Sequence, residues 1–254
     1  MMRFDVLTIF PRMVEAPLSD GIVQRAREAG IVEIRVHDLR EHTEDKHRSV
    51  DDAPFGGGPG MVMKAEPILR AFEAIWPEGR GDRGAVVLLT PRGRRFDQAT
   101  ARRYAGLERL LLLCGRYEGI DQRFIERHVD IELSLGDFVL SGGELPALVL
   151  LDTVARLQTG VLNDAQSHEQ DSFSQADGLL DCPHYSRPEV LQTADGVLAV
   201  PPVLLSGHHA EIARWRRERS LELTARRRPE LIAAARAAGH LSPADEKFLA
   251  SLAL

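Results

Sequence analysis

The sequence predicts an α/β fold with a mostly parallel sheet, followed by a small all-helical domain. Three observations predict it. Between residues 4 and 157, short apolar runs alternate with segments of helical periodicity, the pattern of strands joined by crossover helices. Around Gln158–Gly178 the texture becomes polar, acidic and Gln/Ser-rich, with too few apolar positions for a packed element. Beyond it, apolar residues recur at helical spacing, with prolines at helix starts. A length of 254 residues suits one large domain plus a small one at roughly 150 residues per domain, and 44% apolar content excludes disorder over most of the chain. The expected boundaries are 1–160 for an α/β domain, 161–178 for a mobile linker and 179–254 for the helical domain.

Phe4–Ile9, Ile31–Val36, Ala85–Leu89, Leu110–Cys114 and Ile131–Leu133 read as strands because each is a short apolar run bounded by Gly, Pro or charge. Helical spacing fits Ser19–Ala29, closed by Gly30 as a C-cap, then Ala65–Trp76, Phe96–Tyr104, Ile120–His128 and Glu144–Leu157. In the C-terminal part the predicted helices are Gly207–Leu223, Pro229–Ala238 and Pro243–Leu252. Parallel sheets of this kind bind ligands beyond the carboxyl ends of their strands, where the loops here are rich in Gly and Pro.

No apolar run approaches the roughly 18 to 20 residues that span a bilayer. The N-terminal stretch places Asp5 inside its apolar run and reads as a first strand, not a secretion signal. Cys114 and Cys182 lack Cys-x-x-Cys spacing, which argues against a disulfide framework or zinc site and for a reducing cytoplasm. The net charge of −6 seems unfavourable to a nucleic-acid partner, but it is unevenly spread. Seven arginines and three glutamates fall within Glu211–Arg228, and five arginines and one aspartate within Arg92–Arg103, whereas 164–181 carries five acids and no Lys or Arg.

Several motifs are candidates for chemistry. The run Phe55-Gly56-Gly57-Gly58-Pro59-Gly60 before Lys64 suggests a phosphate loop, but Lys64 stands too far from Gly60 and is followed by Ala65. It reads as a turn or a ligand-facing loop. His42, His47, His208 and His209 lack zinc spacing, and Asp51-Asp52 reads as a solvated turn. Arg116-Tyr117-Glu118, bracketed by Gly115 and Gly119, follows a buried strand directly; Ser134 to Gly143 runs from another strand into an apolar helix. Glycines and scarce charge there suggest a ligand held by backbone amides and apolar walls. The absence of Gly-x-Gly-x-x-Gly disfavours an ordinary dinucleotide site. Asp152 and Arg156 are spaced for a helical ion pair, or Arg156 could face a developing anion. Glu169, Asp171, Asp177 and Asp181 are all candidate bases.

Longer stretches carry a resemblance. Asp45-Lys46-His47, Gly56 to Met61, Leu113 to Asp121, Gly136 to Pro146, Asp171-Ser172-Phe173, Cys182-Pro183-His184-Tyr185-Ser186-Arg187-Pro188 and Pro201 to His209 are similar, in order, to the bacterial tRNA (guanine-N1)-methyltransferases that modify guanosine 37. Phe55, Phe138 and Ser141 stand where that family has Tyr, Tyr and Thr. The resemblance implies a SPOUT-class fold with a deep trefoil knot at the C-terminal end of the α/β domain, and a homodimer binding S-adenosylmethionine. Carried over by position, the cofactor pocket is Leu89, Thr90 and Pro91; Gly115, Tyr117, Glu118 and Gly119; Ser134, Leu135, Gly136, Asp137, Phe138, Val139 and Leu140; and Gly142, Gly143 and Pro146. Asp171 corresponds to the catalytic base and Arg156 to the group that stabilises charge on guanine O6. Asp51 and His184 correspond to substrate-side residues. Glu118 is the position at which a Mg2+ ion would assist, no protein-bound metal being needed for methyl transfer itself. The implied partner is tRNA with guanosine at position 37, with no membrane and no DNA. A non-catalytic RNA-binding protein is the rival reading; it explains the arginines but not the glycine loops at strand ends.

Overall fold

The computed structural model describes residues 1–79, 81–162 and 170–252. It divides into two compact units, Met1–Ala165 and Gln166–Leu254. In the first, β1 (Met2–Thr8), α1 (Pro11–Glu15), α2 (Gly21–Glu28), β2 (Val32–Asp38), β3 (Asp51–Asp52), β4 (Val62–Met63), α3 (Ala65–Ile75) and β5 (Gly84–Arg95) are followed by α4 (Gln98–Ala105), β6 (Arg109–Cys114), α5 (Gln122–His128), β7 (Ile131–Ser134) and α6 (Glu144–Ala155). The main sheet runs β2-β1-β6-β5-β7, and every pairing in it is parallel.

Period-2 alternation splits the strands between two cores. Phe4, Val6, Leu110, Leu112 and Val87 face one cluster, closed by α2, α4 and α6 through Val23, Ala101 and Leu150. Leu7, Leu111, Leu113, Val86 and Leu88 face the other, closed by α3 and α5 through Ile68 and Phe124. The unbroken Leu110–Leu113 run follows from this, because a central strand buried on both faces has no polar side to present. Four leucines buried at about 1.5–3 kcal/mol each make β6 the energetic centre of the sheet.

The structure departs from the expected elements where tertiary pairing overrides local pattern. β5 does not end at Leu89: its register with β7 shifts between Leu89 and Arg94, so Thr90–Gly93 bulge and pairing resumes at Arg94. Proline is tolerated there because a bulge needs no ladder donor. Gly93 is required, since a Cβ on it would lie 2.4 Å from the backbone of Glu132 and Leu133. The first long helix begins at Gly21, after a 3-10 turn at Ala16–Ser19.

Buried polarity in the first unit centres on Asp5, fully enclosed on β1. Arg3 Nη2 donates to its carboxylate at 2.8 Å, the His37 ring nitrogen sits at 2.8 Å, and Trp76 Nε1 donates at 3.1 Å. Burial pushes this carboxyl up, but the hydrogen bonds from His37, Arg3 and Trp76 outweigh it and hold it below the ordinary range. A depressed folded-state value adds stability that is complete above the unfolded value of about 3.9 and is lost as pH falls through the lower folded value. Asp5→Asn is therefore expected to cost on the order of 2 kcal/mol at pH 7. In urea titrations the gap from the unsubstituted protein should narrow below about pH 4.

In the second unit, β8 (Val190–Thr193) and β9 (Gly196–Ala199) precede α7 (His209–Arg227), α8 (Pro229–Ala237) and α9 (Pro243–Ser251). The antiparallel β8–β9 hairpin corrects the all-helical expectation. Its turn carries Asp195-Gly196, a hairpin signal. All eight strand residues are exposed, however, so no apolar-in, polar-out alternation marks them in the sequence. Leu179, Leu221, Ile232 and Ala235 form the small core.

The predicted linker narrows. Its central residues 163–169, including the candidate base Glu169, lie outside the described residues. Its last part, 170–178, is a set of turns tied to the second unit: Arg217 donates to Asp177 at 2.6 Å and to Asp245 at 3.0 Å, and Ser174 and Leu179 are buried.

Candidate active site

At the carboxyl ends of β5, β6 and β7 the first unit opens a cleft with about 850 Å³ of empty space, its mouth open to solvent. Three segments wall it. Leu89, Thr90 and Pro91 come from the β5 bulge; Gly115, Tyr117, Glu118 and Gly119 follow β6. Ser134, Leu135, Gly136, Phe138, Val139 and Leu140 follow β7, with Gly142 and, from the first turn of α6, Pro146. Walls of backbone and apolar side chain, with few charges, suit a nucleoside-sized ligand better than a polyphosphate.

Two of the residues expected here stand elsewhere. Asp137 points outward, its side chain almost wholly exposed and paired with Arg95 at 3.2 Å. Gly143 lies behind the wall as the N-cap of α6, where a Cβ would come within 2.6 Å of Cys114 Cα. Backbone cannot yield as a flexible side chain does. Gly143→Ala is therefore expected to push α6 off the end of β6 and to lower the thermal unfolding midpoint, while Gly106→Ala, at an ordinary negative φ and with nothing nearer its Cβ than 3.4 Å, leaves it nearly unchanged.

The frame of the cleft is a buried ion pair that sequence reasoning passes over. Glu144, 1% exposed, opens α6 and accepts from Thr8 Oγ1 at 2.7 Å and from Arg116 Nη2 at 2.9 Å. The Arg116 guanidinium also lies 4.4 Å from the Phe10 ring centroid. The end of β1, the loop after β6 and the start of α6 are thus locked together. The only sequence signal was an acid placed directly after Gly142-Gly143. Tyr117, next to Arg116, holds φ at 59°, a left-handed conformation rare for an aromatic residue and typical of functional sites.

The Gly56–Lys64 segment backs this loop and is no phosphate cradle. Glu118 N donates to Met61 O, Met63 N to Gly119 O and Asp121 N to Met63 O, all at 2.9–3.0 Å. Gly60 is needed at φ 86°, with Glu118 Oε1 only 2.4 Å from where a Cβ would sit. Lys64 Nζ is turned to Ser49 O.

The remaining expected site residues lie apart from the cleft wall. Asp51 sits on the short strand β3, its carbonyl accepting from Ser49 Oγ. Arg156 is the C-cap of α6, its backbone N–H donating to Asp152 O at 3.1 Å. Asp171 and His184 both line a cleft of the second unit with Asp181, Arg216 and Arg217. His184 and Asp181 bond each other at 2.7 Å. Asp181, Cys182 and His184 offer three ligand atoms within 4.8 Å, a grouping invisible to zinc-motif spacing. Burial, then the Asp181 carboxylate, push the Cys182 thiol up, away from the thiolate a soft metal needs. Among the described residues Glu118 belongs to no such group.

A doubly covered parallel sheet with a glycine-walled, sparsely charged cleft at its strand ends defines an α/β protein whose cleft suits a nucleoside-sized ligand. Comparison with known proteins makes this specific: the chain belongs to the tRNA (Guanine-1)-methyltransferase TrmD family, whose sequence model matches residues 2–234. Among its relatives is a tRNA (guanine-N(1)-)-methyltransferase of Leptothrix cholodnii, 62% identical over 253 residues and all of both chains. Another, from Methylibium petroleiphilum, is 59% identical over 99% of this chain and 98% of its own. One from Chloroflexus aggregans is 54% identical over 98% and 94%. No described helix is long and apolar enough to cross a membrane.

Proposed function

We propose that this protein transfers the methyl group of S-adenosylmethionine to N1 of guanosine 37 in tRNA. The observation that carries this reading is the cleft: three strand-end segments, two of them marked by their own glycines and all three by family resemblance, converge on one wall in a chain of that family. When bound, S-adenosylmethionine supplies an electrophilic methyl carbon on a sulfonium. The backbone of 115–119 and 134–142 would hold it, with Pro91, Leu140 and Pro146 excluding water.

N1 of neutral guanine bears a proton, and its lone pair is delocalised toward O6. Asp171 takes that proton, the electrons of the N–H bond become free to form the N–C bond, and the breaking S–C bond leaves its pair on sulfur. Arg156 donates to O6 as negative charge gathers there. A Mg2+ ion at Glu118 would have one protein carboxylate to rest on, so no step is routed through a metal.

The knot belongs to this reading, as a trefoil threading the segments after β5, β6 and β7; so does a cytoplasmic setting. So does a homodimer: α6 leaves Leu145 and Val149, one turn apart, open to water beside Met13, an apolar face suited to a second copy. Calorimetry with S-adenosylmethionine and a solution mass measurement test these together. Binding by a dimer is expected; no binding at millimolar cofactor favours the RNA-binding rival.

A further inference from the structure

The second unit carries another cleft, between the segment after Cys182 and helix α7. Tyr185 and Trp215 lie on it with ring centroids 6.2 Å apart and planes inclined at 57°. Tyr185 is half exposed and Trp215 half-buried, so aromatic surface of both meets solvent. Arg187, Arg216 and His184 share the wall, and Glu189 is its one acid.

Of the five arginines of α7 other than Arg216, four are paired and Arg227, which does not line this cleft, has no ion pair among the described residues. Arg214 pairs with Glu218, Arg217 with Asp177 and Asp245, and Arg219 and Arg226 with Glu222; just beyond the helix, Arg228 pairs with Glu230. Arg187 and Arg216 make no ion pair among the described residues. Unneutralised guanidinium groups and exposed aromatic surface therefore coincide in one place. Ring faces take a flat π system, and guanidinium groups take phosphate; a nucleotide in an unpaired strand presents both. An apolar protein segment would leave the two cations unanswered. The cleft also shares His184 and Arg216 with the neighbouring one that contains Asp171, so both open toward the same wall.

We propose that this cleft seats a second unstacked nucleobase of the RNA strand, stacked against Tyr185 and Trp215, with Arg187 and Arg216 on its flanking phosphates. The proposal rests on tRNA being the substrate. It is tested by tryptophan emission of the full-length protein titrated with an unmodified tRNA transcript carrying guanosine at positions 36 and 37, without S-adenosylmethionine. Trp76, the other tryptophan, is buried in the first unit. Emission is expected to fall on binding, and the fall to vanish in Trp215→Phe. Tyr185→Ala and Arg216→Gln should each weaken tRNA binding by about fivefold or more, with Tyr185→Phe within twofold. Tyr185 is exposed enough for its variants to fold should Trp215→Phe fail. Unchanged emission at saturating tRNA, with Tyr185→Ala and Arg216→Gln binding within twofold, overturns the proposal. Quenching without methyl transfer would remove the methyltransferase reading and leave the cleft; transfer without quenching, with both variants unaffected, would do the reverse. Absence of tRNA binding overturns both.

Discussion

Asp171→Ala is expected to lower single-turnover methyl transfer by about 10²–10⁴-fold, the range a positioned general base contributes, while S-adenosylmethionine affinity stays within a few-fold. The reason lies in the nucleophile. Without a base the N1 proton must leave to water as the methyl arrives, and the lone pair stays drawn toward O6. Asp171 is not among the residues that wall the cleft at the ends of β5, β6 and β7, so the substitution removes nothing from that wall. Asp171→Glu, which keeps the carboxylate but moves it, should recover part of the loss. Rapid-quench assays with labelled S-adenosylmethionine measure both; near-normal turnover by Asp171→Ala would remove Asp171 from the role of base.

Glu144→Ala should be the most damaging single change to the first unit. It strands Arg116, whose side chain is only 13% exposed, and leaves Thr8 Oγ1 without its acceptor. Breaking a buried ion pair by removing one partner costs about 3–5 kcal/mol, because the remaining charge is left in an apolar setting. Thermal unfolding should shift down by roughly 6–20 °C on that basis. Cofactor affinity should fall with it, since the loop after β6 and the start of α6 both wall the cleft. Glu144→Gln, which still accepts from Thr8, should lose less. A midpoint within 2 °C of the unsubstituted protein would show that the pair does not frame the site.

How far the molecule could be read beforehand depended on where its information is stored. β6 was legible because a strand buried on both faces must be apolar throughout, and Leu110–Cys114 is. β5 was legible only to Leu89, because Thr90-Pro91-Arg92-Gly93 carries no strand signal and bulges out of the ladder, which resumes with β7 only at Arg94. The hairpin at 190–199 escaped notice since neither face is buried. Within the cleft, the glycine-bracketed loops stood out as sites from their own residues, yet their convergence was supplied by family resemblance. Gly143 fits α6 closely against the end of β6, a constraint that no local pattern announces. The Arg116–Glu144 pair spans 28 positions of sequence, with α5 and β7 between its ends, and no local pattern encodes it.

The central claim is a site-specific methyl transfer, and nucleoside analysis tests it most directly. The purified protein is incubated with methyl-labelled S-adenosylmethionine and an unmodified tRNA transcript bearing guanosine 37, and in parallel with a transcript in which that base is adenosine. The RNA is then digested and its methylated nucleosides identified. The account predicts one labelled 1-methylguanosine per tRNA from the first transcript and none from the second. Label at another atom or position, or equal incorporation into both transcripts, would contradict it.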